Sequence, residues 1–105
     1  MIGMAKAIQI DDKDNVATVT TDVDSGEIVD VISPNGKTIL KPKVSETIPF
    51  GHKLAIKSIR CGEDIVKYGE TIGVASMDIS AGAWVHTQNV GSARMPSKGK
   101  EVGIL

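Results

Sequence analysis

Aromatic residues are nearly missing from this chain of 105 residues, which has one Trp, one Tyr, one Phe, two histidines and a single cysteine. Each scarcity excludes something. One cysteine leaves no internal disulfide. Two histidines do not complete a catalytic metal centre, which takes about three protein ligands. The sequence has no HExxH, no CxxC pair and no Gly-rich phosphate loop of the GxxxxGK kind. No apolar run approaches the roughly 18 residues of a membrane span. The first residues, MIGMAKAIQIDD, lack the apolar core and cleavage site of a secretory signal. A reducing cytoplasm is therefore the expected compartment. A net charge of −1 gives no bulk attraction to nucleic acid or membrane, so neither is expected as a partner.

What is present is a globular composition, 41% hydrophobic and 24% charged, at a length suited to one domain with a modest core. Ile and Val together number 24 against three Leu. Branched side chains in that excess favour strands, because they are stiff at χ1 and fit a pleated surface. With 11 Gly and four Pro as punctuation and no capped helical period, the chain reads as mainly β. The predicted strands are 4–10, 15–21, 28–32, 53–57, 64–67, 71–76 and 83–88, with turns at DDKDN (11–15) and SPNG (33–36). One pattern, [VI]-x-x-G-[EA]-x-[VI], occurs at Val23–Val29, Ile59–Ile65 and Ile79–Val85. It describes a buried anchor, a tight turn whose glycine takes positive φ, and a strand re-entering the core. The unequal spacing excludes a fixed-period solenoid.

Charge is segregated. Residues 1–30 hold seven acids and two lysines, whereas 31–60 hold six bases and one acid. The basic segment (Lys37, Lys41, Lys43, Lys53, Lys57, Arg60) suits an anionic small molecule or an acidic partner, or is simply a solvated face. It contains His52, in PFGHK, and the other histidine is His86, in AWVHTQN (83–89). On a strand, Trp84, His86 and Gln88 would share one face. Such a row is ill suited to a dry interior, since imidazole and amide both demand partners there, but it suits a pocket wall. Spacing alone leaves each histidine open to a hydrogen-bonded structural role or a functional one. Cys61 has no neighbouring His to activate it, and Tyr68, in KYGE, reads as a packing residue.

Taken together, IPFGHKLAI (48–56), GEDIVKYGETIG (62–73) and DISAGAWVHTQN (78–89) resemble the N-terminal SAF-type domain of the altronate/galactarate dehydratase family. The resemblance is continuous over 48–89 and looser over 5–32. It implies a compact β-clip fold across 1–90. It also implies a lyase that dehydrates hexonic or aldaric acids with a divalent metal, usually Fe²⁺. A similar branch, the sulfolactate sulfo-lyases, eliminates sulfite instead. In some members the module is fused to a large catalytic domain; in others it is a separate small subunit, which a chain of this length resembles. The expected partners are thus a large catalytic subunit and a small anionic sugar acid, with no activity expected from the chain alone.

Carried over by motif position, the resemblance implies His86 and His52 as catalytic or metal contacts. Lys53 is then a carboxylate partner, and Gln88 and Asn89 are hydroxyl partners. The chemistry calls for such groups, because a proton α to a carboxylate leaves only if the resulting charge is stabilised. One position departs: the family reads HTHN where this chain has His86-Thr87-Gln88-Asn89. Gln is a weak ligand and no general base near neutral pH, so any such step is either lost here or shifted to the large subunit. The tail, 91–105, stands where fused members place their linker, and reads as a docking segment or a disordered end. Two alternatives of other classes stay open, a stand-alone carbohydrate- or anion-binding module and a purely structural cap on the large chain.

Overall fold

A computed structural model describes residues 5–92. Nine short strands form: β1 (Ala5–Ile8), β2 (Val16–Val19), β3 (Val29–Ile32), β4 (Thr38–Leu40), β5 (Lys53–Ala55), β6 (Asp64–Lys67), β7 (Glu70–Ala75), β8 (Trp84–Val85) and β9 (Val90–Gly91). No helix occurs among the described residues. The mainly β expectation holds, and each of the seven predicted strands overlaps an observed one. A six-stranded sheet runs β4-β3-β1-β2-β5-β8, and a second sheet runs β6-β7-β9. All pairings are antiparallel except β1 with β3.

Alternation along the strands divides the core in two. Ala17, Val19 and Leu54 join a first cluster with Val23, Val29, Val31, Val44 and Ile48. Their neighbours Val16 and Ala55 point the other way, into a second cluster with Ile59, Ile65, Ala75, Ile79 and Val85. Burying one such aliphatic side chain contributes roughly 1.5–3 kcal/mol, so both clusters hold the central strands from opposite faces.

The turn pattern is the fold's repeated device. Gly26, Gly62 and Gly82 have φ of 91°, 91° and 88°. Each sits third in a four-residue turn closed by Glu27 N to Asp24 O, Glu63 N to Arg60 O or Ala83 N to Ser80 O. A positive φ at that position is the type II geometry. The anchors and re-entry residues are all buried. A fourth copy, outside the sequence pattern, is Ile48-Pro49-Phe50-Gly51-His52-Lys53-Leu54. Gly51 has φ 84°, and His52 N donates to Pro49 O at 3.0 Å. Here His52 stands where the pattern has Glu or Ala. The four turns pair through their anchors, Val23 with Ile48 and Ile59 with Ile79, by reciprocal backbone bonds.

Two buried polar residues bolt the second sheet to the first. The Asp14 carboxylate accepts from the backbone N–H groups of Asp11, Tyr68 and Gly69 at 2.8–3.1 Å. The Asn15 side chain donates to Asp64 O and accepts from Val66 N, both at 2.8 Å. Tyr68 takes a φ of 57° in this hairpin, and its ring is 60% exposed. The expected packing role is therefore corrected: a two-residue turn with both φ positive points the ring outward, where Lys67 Nζ lies 4.7 Å from it. Gly91 belongs to β9, and the rest of the 91–105 tail beyond Ser92 lies outside the described residues.

Candidate functional site

His52 closes its turn, and that turn is fixed to β2 on both sides: Gly51 N donates to Val19 O at 3.0 Å and Val19 N to His52 O at 2.9 Å. His86 follows β8, the two-residue edge strand that pairs with β5 through Leu54–Trp84 and Lys53–Val85. Its approach is set by Gly82, whose N–H donates to Ala55 O at 2.7 Å. A Cβ at Gly82 would lie 2.5 Å from Lys43 O. Only glycine fits between that segment and β5 at this φ.

These constraints bring the two histidines together across 34 residues of sequence. Their ring centroids are 4.7 Å apart with planes at 70°. Trp84 completes the cluster, stacked on His86 at 5.4 Å with an 8° interplanar angle and edge-on to His52 at 5.4 Å. All three are half-buried, and Trp84 rests on the first core cluster. The indole Nε1–H of Trp84 is buried with no acceptor among the described residues. A buried donor without a partner costs about 1–3 kcal/mol, so it is a natural point of contact for an oxygen brought from outside.

The strand predicted over 83–88 stops at Val85. Asn89 is the reason. Its side-chain amide donates to Trp84 O at 2.8 Å and accepts from His86 N at 3.0 Å, while its own N–H donates to His86 O at 3.1 Å. The residue is 6% exposed with both amide ends engaged. It therefore clamps the loop that presents His86. Gln88 is exposed and donates from Nε2 to Trp84 O at 3.2 Å. Sequence reading also missed Glu46, whose carboxylate accepts from Trp84 N at 3.2 Å. Its only signal was being the sole acid of a basic segment.

Lys53 lies apart from the rings. It alternates with His52 and Leu54 along the chain, and its partners Val85 and Thr18 belong to the opposite sheet face. Burial holds its ammonium below the ordinary lysine range, and the positive charge of Lys67 adds to this. Cys61 is exposed on the second turn. An open cleft lined by Gln9, Asp11, Asp12, Asn35 and Lys37, among others, contains none of the expected site residues.

Whether the ring cluster suits a metal is a matter of spacing and donor number. With a metal–nitrogen bond of about 2.1 Å, two imidazoles on one ion at 90–110° have centroids roughly 4.5–5.2 Å apart. The observed separation of 4.7 Å fits. The number does not suffice alone, since no group of three or more His, Cys, Asp or Glu that could hold a metal occurs among the described residues. The described residues therefore do not form a metal site by themselves.

The family model for the altronate/galactarate dehydratase SAF domain matches residues 5–93. The altronate dehydratase of Bacillus subtilis (strain 168) is 40% identical over 86 residues, 82% of this chain but 16% of that enzyme. Galactarate dehydratase (L-threo-forming) of Escherichia coli (strain K12) is 36% identical over 74% of this chain and 14% of its own length. The (2R)-sulfolactate sulfo-lyase subunit alpha of Chromohalobacter salexigens is 33% identical over 80% of this chain and 90% of that subunit. The chain thus spans a small fraction of the dehydratases it matches and nearly the whole of a lyase subunit. A β-rich domain built on glycine turns, with an aligned match across all its described strands, belongs to the altronate/galactarate dehydratase SAF domain family.

Proposed function

We propose that this chain is the small component of a heteromeric hydroxy-acid lyase of the cytoplasm, supplying His52, His86 and Trp84 to an active site completed by a large catalytic subunit. The observation that carries this reading is the 4.7 Å approach of two imidazoles from distant turns, beside an indole N–H without a protein acceptor. The reaction is the β-elimination of water from a sugar acid such as altronate or galactarate. A divalent cation, Fe²⁺ in this reading, would be held by His52 and His86 together with groups of the large subunit; it supplies Lewis-acid stabilisation of the charge that forms when the α-proton leaves. The chain's own residues orient the site. Trp84 walls it, Asn89 and Glu46 fix the backbone that carries His86, and Gln88 is left exposed as a substrate-hydroxyl contact.

One observation favours the sulfo-lyase branch as a second reading. In subunit alpha of the Chromohalobacter salexigens enzyme 90% of the length is matched, so elimination of sulfite from a sulfonated hydroxy acid suits the same site equally. A pull-down of the tagged chain from native lysate, with Fe²⁺-supplemented assays on altronate, galactarate and sulfolactate, separates the readings. The expected result is one large partner and 2-keto acid release from a dehydratase substrate. Sulfite release in its place assigns the chain to the second branch. Sugar-acid binding by the isolated chain, with no partner and no turnover, would overturn the catalytic reading.

A further inference from the structure

β1 and β3 are the parallel pair of the sheet, in register from Ala5–Val29 to Ile8–Ile32. Parallel neighbours end at the same level, so the segments that leave them run out side by side. Their divergence opens a crevice beyond the carboxyl ends of the strands. Here the DDKDN turn follows β1 and the SPNG turn follows β3. Between them lies the open cleft, about 630 Å³ in volume, within the range of small-molecule sites. In strand order it stands at β3 and β1, away from the rings beside β8. The lyase reading uses neither turn.

Both walls are held by their own hydrogen bonds. Gln9 N donates to Ile32 O at 2.9 Å, which ties the roots of the two turns together. On the first wall, Asp11 Oδ1 accepts from Lys13 N at 2.8 Å, and Asp11 N donates to Asp14 Oδ2 at 3.0 Å. On the second, Gly36 N donates to Ser33 O at 2.9 Å and Ser33 N to Lys37 O at 2.8 Å. The Ser33 hydroxyl donates to Asn35 Oδ1, which leaves the Asn35 Nδ2 donors for another partner.

Gln9 is the buried polar group of the cleft, 5% exposed. Its amide orientation is forced, because Asp14 O can only accept and so meets Nε2, at 3.0 Å. The Oε1 then has no protein donor among the described residues. It is not sealed in as Trp84 Nε1 is, so it opens toward the cleft that Gln9 lines. Charge adds direction. Asp11 and Asp12 stand on the wall with Gln9, and Lys37 stands on the wall with Asn35. Among the described residues no ion pair joins the two sides. Ile10 and Ile39, 42% and 46% exposed, give the cleft apolar surface as well. A metal ion matches this poorly, since no group of three or more His, Cys, Asp or Glu that could hold one occurs among the described residues. An ammonium needs only hydrogen-bond acceptors, and a carboxylate suits a lysine beside an amide N–H.

We propose that this cleft binds a small aliphatic zwitterion of amino-acid to dipeptide size. Its ammonium lies on the side of Gln9 Oε1, Asp11 and Asp12, and its carboxylate on the side of Lys37 and Asn35 Nδ2. Ile10 and Ile39 take the carbon frame between the two charges. A polyhydroxy acid would satisfy Lys37 but bring no cation to the two carboxylates. The site is independent of His52 and His86 and does not rest on the lyase reading.

The test is NMR on the full chain, following the side-chain amides of Gln9 and Asn35 during titration with L-leucine and glycyl-L-leucine. Saturable shifts are expected there and in the backbone amides of 10–12 and 35–37. N-acetyl-L-leucine and L-leucinamide each lack one charge and should bind more weakly by roughly fivefold. Asp12→Asn and Lys37→Met, both at exposed positions, should weaken the dipeptide by a similar factor. The His52→Ala/His86→Ala double variant should bind it as the wild type does. Shifts that never saturate would overturn the proposal, as would equal affinity for the acetylated or amidated analogue. So would unchanged affinity in both cleft variants, loss of binding in the histidine variant, or equal saturation by gluconate or Ca²⁺.

Discussion

Asn89 decides where His86 points. Its amide donates to the carbonyl of Trp84 and accepts from the N–H of His86 within one loop, so Asn89→Ala strips the His86 N–H of its acceptor and leaves the Trp84 carbonyl only its longer bond from Gln88. A loss of roughly 1–3 kcal/mol follows from leaving the His86 N–H unpaired. Urea unfolding should show it as a lower midpoint with an unchanged slope. Asn89→Asp keeps the acceptor for His86 but removes the donor to Trp84, and should fall between the two. Motif position had suggested a substrate-hydroxyl partner here. A sequence shows that an amide is present; it does not show that the chain turns back on it.

Lys53 gives the residue scale its pH dependence. Burial, then Lys67, lowers its folded proton affinity, so in the window between the lowered folded value and the ordinary lysine value the unfolded chain binds more protons. Stability then rises with pH through that alkaline window. Below the window the full penalty of the charged group is present; above it, neither state carries the charge. Denaturation at a series of alkaline pH values should show the wild type gaining on Lys53→Met. Parallel curves would remove the effect from Lys53.

At the scale of elements, the recurring turn carries the design. Gly26 and Gly82 have nearly the same φ, yet a Cβ meets nothing within 4 Å at Gly26 and backbone at 2.5 Å at Gly82. Gly26→Ala should therefore cost only the left-handed conformation, roughly 1–2 kcal/mol. Gly82→Ala should lose a further 1–3 kcal/mol, roughly, through overpacking, and should displace β8 with both its rings. Thermal unfolding of the pair, with Trp84 fluorescence as a local probe, measures the difference. Three of the four turns were legible because Gly and branched anchors recur at fixed offsets. The fourth was hidden by His52 and Leu54 standing at positions the pattern gives to other residues. β4 and β9 were missed for want of signal: Thr38-Ile39-Leu40 is exposed at all three positions and shows no alternation, and β9 is two residues long with Gly91 as one of them.

The whole molecule is a central sheet with a core on each face and a ring cluster at its β8 edge. Branched-residue excess and turn spacing made the strand-rich architecture legible, and the motif order made the family legible. The placing of His52 and His86 in one site was expected from the motif resemblance alone, because their meeting depends on two turns being bolted to β2 and β5 by backbone bonds that leave no mark in residue type. The domain matches 82% and 74% of this chain to only 16% and 14% of two dehydratases, so the proposed active site would draw its remaining groups from a larger chain. The most direct measurement is turnover by the complex reconstituted from this chain and the large partner proposed for it, comparing His52→Ala, His86→Ala and the double variant at equal assembly. The account predicts that each single substitution lowers kcat by about 100-fold or more, and that the double variant is little worse, as for groups acting as a unit. Wild-type turnover in both single variants, with the complex intact, would contradict it.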